Sequence, residues 1–111
     1  LEIPAGKLDD PKEPEKECAY RELEEETGYR SENLEYLMTI NTTVAFCDEC
    51  IGVYIARDLI PSKQHLDEDE CIEVEEWDVK DLLKLIYSGK MTDGKTVAAI
   101  LAYAQREGIR L

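Results

Sequence analysis

Basic residues are scarce in this chain. Thirteen Lys and Arg face twenty-six Asp and Glu, for a formal net charge of −13, and no run of Lys or Arg gathers the cations into a patch. A nucleic-acid duplex or an anionic membrane surface is therefore repelled. Long apolar runs are also missing: the longest falls far short of the roughly 20 residues of a membrane span, so no membrane-spanning helix is expected. Cysteines number only four, Cys18, Cys47, Cys50 and Cys71. A chain of 111 residues that is 43% hydrophobic builds a core without cross-links, so reduced thiols and a cytoplasmic location are expected. The pair Cys47-Asp-Glu-Cys50 has zinc or redox spacing, but no second pair follows at the distance a four-ligand site uses, which sets zinc aside. Internal repeats and low-complexity linkers are absent. The single histidine, His65, lies in a polar stretch and reads as incidental rather than catalytic.

An initiating methionine is lacking too. The chain opens LEIPAG, already in a strand-like run, as though earlier strands and any targeting signal had been removed.

What is present fits one globular domain at residues 1–111. Leu1 to Ile3 reads as the end of a strand, followed by a loop through Pro4, Gly6 and KLDDPKEP. Pro14 suits a first helical turn and Gly28 a left-handed stop, which predicts a helix from Pro14 to Thr27. Strands are expected at LEYLMTIN, around TTVAFC and at CIGVYIARDL, where β-branched and aromatic residues are dense. After the polar loop IPSKQHLDEDE, CIEVEEW alternates apolar and acidic residues as a half-buried strand does. Asp78 caps a second helix that stops at Gly89, and Thr92 or Asp93 starts a third that ends at Gly108. Trp77 and Tyr103 read as core aromatics. The class is α/β or α+β, with helices covering a mixed sheet.

The first helix carries RELEEETG at residues 21–28. Glu22, Glu25 and Glu26 fall at i, i+3 and i+4, so their carboxylates share one stripe. Like charges at these spacings cost about 0.2 to 0.5 kcal/mol each, and they crowd toward the negative end of the helix dipole. A solvated acidic face is the bland explanation. The chemical one is a set of hard oxygen ligands for Mg²⁺ or Mn²⁺, which would turn the repulsion into attraction. A small anionic substrate also binds such an acidic protein more readily when divalent cations neutralise part of the surface.

The stretch GKLDDPKEPEKECAYRELEEETGY resembles the Nudix box, G-x5-E-x7-R-E-U-x-E-E-x-G-U with U a bulky apolar residue. The matching residues are Gly6, Glu13, Arg21, Glu22, Leu23, Glu25, Glu26, Gly28 and Tyr29. Six residues instead of five separate Gly6 from Glu13, and Tyr29 replaces an aliphatic. The resemblance implies a Nudix-type fold and Mg²⁺-dependent hydrolysis of a nucleoside diphosphate linked to another group. Glu22 and Glu26 would be the principal metal ligands, with Glu25 assisting and the Ala5 carbonyl joining them. Arg21 would pair with Glu13 to hold the helix, and Gly6 would lie at the substrate. Phosphoryl transfer depends mainly on positioning and on neutralising charge at the phosphate oxygens, as that site would.

Further segments resemble the ADP-ribose pyrophosphatase branch of the family: IPAGKL, Phe46-Cys47-Asp48-Glu49, Leu66-Asp67-Glu68-Asp69-Glu70 and Thr92-Asp93-Gly94-Lys95-Thr96. By that resemblance Glu68 activates water, Glu70 helps to hold metal, Glu49 contacts substrate, and the protein is a homodimer whose N-terminal region helps to bind adenine. Val44-Ala45 stands where the branch usually has proline and glycine. A calcium loop counted from Asp67 needs glycine at its sixth position and finds Ile72, which excludes an EF-hand. Hydrolysis of another nucleotide sugar or a dinucleoside polyphosphate is an alternative, as is a non-catalytic nucleotide-binding domain. Intact Glu22, Glu25, Glu26, Glu68 and Glu70 favour an enzyme.

Overall fold

The computed structural model describes residues 1–8, 12–42, 50–68 and 70–111. Three helices and four strands follow in the order α1 (Glu15–Thr27), β1 (Tyr29–Arg30), β2 (Asn33–Asn41), β3 (Cys50–Arg57), β4 (Ile60–Pro61), α2 (Val79–Tyr87) and α3 (Gly94–Glu107). The class is mixed α/β, as the sequence predicts. Among the described residues the strands form two two-stranded sheets, β1 with β4 and β2 with β3. The chain divides into two compact units. One comprises Pro4–Tyr36 and Tyr54–Val74, and the other Leu1–Ile3, Leu37–Val53 and Glu75–Leu111.

In the first unit, α1 has no side-chain cap at Pro14 and stops at Gly28, whose φ of 75° lies in the left-handed region that favours glycine. The Gly28 amide donates to the Glu24 carbonyl at 3.0 Å. Antiparallel pairing of β1 with β4 sets Tyr29 opposite Pro61 and Arg30 opposite Ile60. Ile60 and Pro61, expected in a loop, thus serve as a short strand; Asp58, at φ 54°, turns the chain between β3 and β4. Buried Ser31 donates to the Arg57 carbonyl at 2.6 Å, and Arg57 Nε donates to Glu35 at 3.1 Å. The Tyr36 and Tyr54 rings meet edge to face, 5.7 Å apart. Burial and then the neighbouring Glu15 carboxylate raise the Tyr54 phenol above its ordinary value.

The second unit is built on α2 and α3. Asp78 accepts from the Lys80 amide at 2.9 Å, and Asp93 accepts from the Thr96 amide at 3.2 Å and its hydroxyl at 2.6 Å. Both are side-chain N-caps, which satisfy helix donors that otherwise lack partners. Leu83, Met91, Ile100 and Ala104 form the buried centre, with Val79, Leu82, Ile86, Val97, Leu101 and Ile109 packed against it. Burying each such large aliphatic side chain contributes about 1.5–3 kcal/mol.

Three further expectations fail. Leu1–Ile3 is not a strand: the Ile3 amide donates instead to the hydroxyl of Thr96 at 3.1 Å. Cys71–Trp77 is not a strand either, because its alternation meets no pairing edge among the described residues. Trp77, expected in the core, is 43% exposed, with its indole N–H turned to Glu75. Of the strand expected around TTVAFC, residues 43–47 lie outside the described residues.

Candidate metal and hydrolytic site

The acidic stripe of α1 is organised by Arg21. Its Nη1 donates to Glu22 at 2.9 Å and to Glu25 at 3.3 Å, while Nη2 donates to Glu13 at 3.0 Å and to the Lys7 carbonyl at 3.3 Å. One guanidinium therefore ties three carboxylates and the preceding loop together. Such charge-assisted bonds are roughly twice as strong as neutral ones. Beneath them, Cys18 is buried with its Sγ 3.5 Å from Arg21 Nη2. Burial pushes the thiol up, the Arg21 charge opposes that, and Glu13 and Glu22 reinforce it.

The loop before α1 closes on the same stripe. The Ala5 amide donates to Glu26 Oε2 at 3.0 Å, and Gly6 lies so close to Glu22 that a Cβ there would collide with the carboxylate. The backbone of Ala5 and Gly6 thus comes within reach of the two glutamates implied as principal ligands. Glycine at position 6 lets the Glu22 carboxylate come this close; its dihedral angles do not demand it.

The C-terminal end of α1 has no basic residue in its last turn. Segment 62–65 supplies the missing donors: the Ser62 amide bonds the Gly28 carbonyl at 2.7 Å, the His65 amide the Glu25 carbonyl at 2.8 Å, and the Gln64 side chain the Glu26 carbonyl at 2.6 Å. Ser62 Oγ also donates to Glu24 at 2.7 Å. None of these contacts is foreseen in the sequence. The available signal was a run of small and amide donors after β4 together with an acidic helix end that lacks its own cations.

Glu68 and Glu70 are exposed and belong to the same unit as α1. Glu70 closes a turn on Asp67, with its amide donating to the Asp67 carbonyl at 3.0 Å and its carboxylate accepting from the Asp67 amide at 2.8 Å. Glu49 lies outside the described residues. Among the described residues no three His, Cys, Asp or Glu side chains group as a ready ligand set. Glu22, Glu25 and Glu26 are engaged instead with Arg21 and the Ala5 amide. The donor chemistry nevertheless fits a hard divalent cation: carboxylate oxygens of Glu22, Glu25 and Glu26 beside a main-chain loop that offers a carbonyl.

Residues 1–100 match the model of the NUDIX domain. The chain belongs to the Nudix family. It is 43% identical over 112 residues to an ADP-ribose pyrophosphatase of Bacillus subtilis (strain 168), covering 99% of this chain and 60% of that protein. A methanol dehydrogenase activator of Bacillus methanolicus is 38% identical, with 99% and 60% covered, and a GDP-mannose pyrophosphatase of Yersinia enterocolitica is 35% identical, with 98% and 57% covered. This Nudix chain therefore spans about 60% of the length of the first two relatives. The crystal structure of an ADP compounds hydrolase superposes with a TM-score of 0.76 at 24% identity, over 89% of this chain and 55% of that one, and so shares the Nudix fold. Among the described residues, no helix is long and apolar enough to cross a membrane.

Proposed function

We propose that this Nudix protein is a divalent-metal-dependent hydrolase of nucleoside diphosphate derivatives that converts ADP-ribose to AMP and ribose 5-phosphate. The observation that carries the reading is the convergence of Ala5, Gly6, Arg21, Glu22, Glu25 and Glu26 on one stripe of α1. The relationship to the Bacillus subtilis ADP-ribose pyrophosphatase supports the substrate. GDP-mannose is the second reading, favoured by the Yersinia relative.

Glu22 and Glu26 would hold Mg²⁺ or Mn²⁺, with Glu25, the Ala5 carbonyl and Glu70 assisting. A bound Mg²⁺ supplies charge neutralisation across the phosphate oxygens. Glu68 takes the proton of a water whose oxygen bonds to one phosphorus as the bridging P–O bond breaks. Gly6, whose missing side chain lets the Glu22 carboxylate reach the loop, lies at the diphosphate, and Glu49 contacts the substrate. Arg21, Glu13 and Gly28 keep the helix in position without touching the reacting atoms. The protein acts in the cytoplasm, where reduced thiols persist, and as a homodimer, which light scattering would test.

Turnover of ADP-ribose and GDP-mannose with Mg²⁺, with products resolved by chromatography, tests the assignment. Glu26→Gln removes a negative ligand at constant shape and is expected to lower turnover by about two orders of magnitude or more. Glu68→Gln is expected to lower kcat more than it raises KM, since a base acts in the transition state. Parental turnover and unaltered Mg²⁺ dependence in Glu26→Gln would overturn the metal assignment. GDP-mannose cleaved with ADP-ribose left intact would replace the substrate, and binding of either without cleavage would replace the enzyme reading.

A further inference from the structure

Gln64 touches two stretches of chain that the proposed chemistry treats separately. Its side-chain Nε2 donates to the Glu26 carbonyl at 2.6 Å and to the Ile72 carbonyl at 3.2 Å. Glu26 is the residue whose carboxylate accepts from the Ala5 amide, so it is held at its side chain by the loop before α1 and at its backbone by Gln64. Ile72 lies two residues beyond Glu70, on the far side of the turn that carries Glu68. On the near side, the amide of His65 is bonded to the Glu25 carbonyl. The acidic turn is thus tied to the end of α1 both before Glu68 and after Glu70.

We infer that Gln64 is a positioning residue that moors the turn carrying Glu68 and Glu70 to the metal-binding end of α1. Two features mark Gln64 as a tie between the two segments. Gln64 is exposed, and its amide bonds two carbonyls from different parts of the chain instead of the carbonyls of one helix end. One planar amide group with two N–H donors suits two acceptors, and its single length fixes their separation. A base must lie within hydrogen-bond reach of the water it deprotonates, so small displacements of the turn alter turnover more than substrate affinity.

The inference rests on the reading of Glu68 and Glu70 as working groups, and its test includes a measurement that does not. Gln64→Met keeps the length and removes both donors, whereas Gln64→Lys retains several N–H donors on one nitrogen. With Mg²⁺ and ADP-ribose, Gln64→Met is expected to lower kcat about tenfold with KM within about twofold, and Gln64→Lys to stay within about threefold of the parent. In metal-free protein, exchange at the hydrogen-bonded Asp67 and Glu70 amides is expected to quicken about tenfold in Gln64→Met, with the amides of α3 unchanged. Unaltered exchange at Asp67 and Glu70 in Gln64→Met overturns the mooring, whatever turnover does. Quickened exchange with parental kcat in an active enzyme overturns the positioning role. If Glu68→Gln proves fully active, the base assignment fails while the exchange result still decides whether Gln64 moors the turn.

Discussion

Helices α1 and α3 are nearly equal in length and are stabilised in opposite ways. Helix α3 buries Thr96, Ala99, Ile100 and Ala104, is capped by the Asp93 side chain, and has Arg106 in its last turn. Helix α1 buries only Cys18, has no side-chain cap, and ends in acids without a basic residue in its last turn. Apolar packing against α2 and a cap from the adjoining Asp93 account for α3. By contrast, α1 depends on groups from elsewhere: Arg21 drawing Glu13 to the stripe, the Ala5 amide on Glu26, and segment 62–65 on its final carbonyls. A helix that gathers like-charged carboxylates on one face cannot also be optimised as an isolated helix, and its deficits are met by tertiary polar contacts.

The largest expected effect falls on the packed helices. Leu83→Ala, at a position 3% exposed, should destabilise the protein by about 2–5 kcal/mol in urea unfolding, and Leu23→Ala on half-buried α1 by less. Equal losses would erase the distinction between a packed helix and one held by polar contacts.

Arg21→Met should cost about 1–3 kcal/mol in metal-free protein, since it strands Glu13, Glu22 and Glu25 together. Mg²⁺ should recover more of the melting temperature in that variant than in the parent, because the ion restores the missing positive charge. Identical Mg²⁺ shifts in both would mean that the stripe is not where the ion binds.

The smallest effect is expected at the α3 cap. Hydrogen bonds from the Thr96 hydroxyl and then from Lys95 hold the Asp93 carboxyl below the ordinary aspartate value. Its contribution is complete above the unfolded-state pKa of about 3.9 and is lost as pH falls through the lower folded value. The melting temperatures of Asp93→Ala and the parent should therefore differ at neutral pH and draw together below about pH 4. A difference independent of pH would remove the ionised cap from the account.

The sequence is legible where structure depends on neighbours in the chain. Gly28, Asp78, Asp93 and Gly108 mark helix ends because capping is a local contact, and the spacing of Glu22, Glu25 and Glu26 defines a face without reference to anything else. Legibility stops where a distant partner decides. The alternation of Cys71–Trp77 states which side chains share a face but supplies no edge to pair with, and Leu1–Ile3 has strand composition but gives its Ile3 amide to a threonine hydroxyl 93 positions away. Ser62, Gln64 and His65 look like ordinary loop residues until the chain returns them to the end of α1.

The close approach of Gly6 to Glu22 has a consequence for how a substitution there would behave. Alanine adds one methyl group and no charge, and the atoms in its way are the far end of a flexible side chain that can swing aside. Folding should scarcely notice. The displaced carboxylate, however, would leave both the Arg21 guanidinium and the position from which, in the proposed function, it would offer oxygen to a cation. Gly6→Ala should therefore masquerade as a charge mutation: a purely steric change that shows up as weakened Mg²⁺ affinity at nearly constant melting temperature.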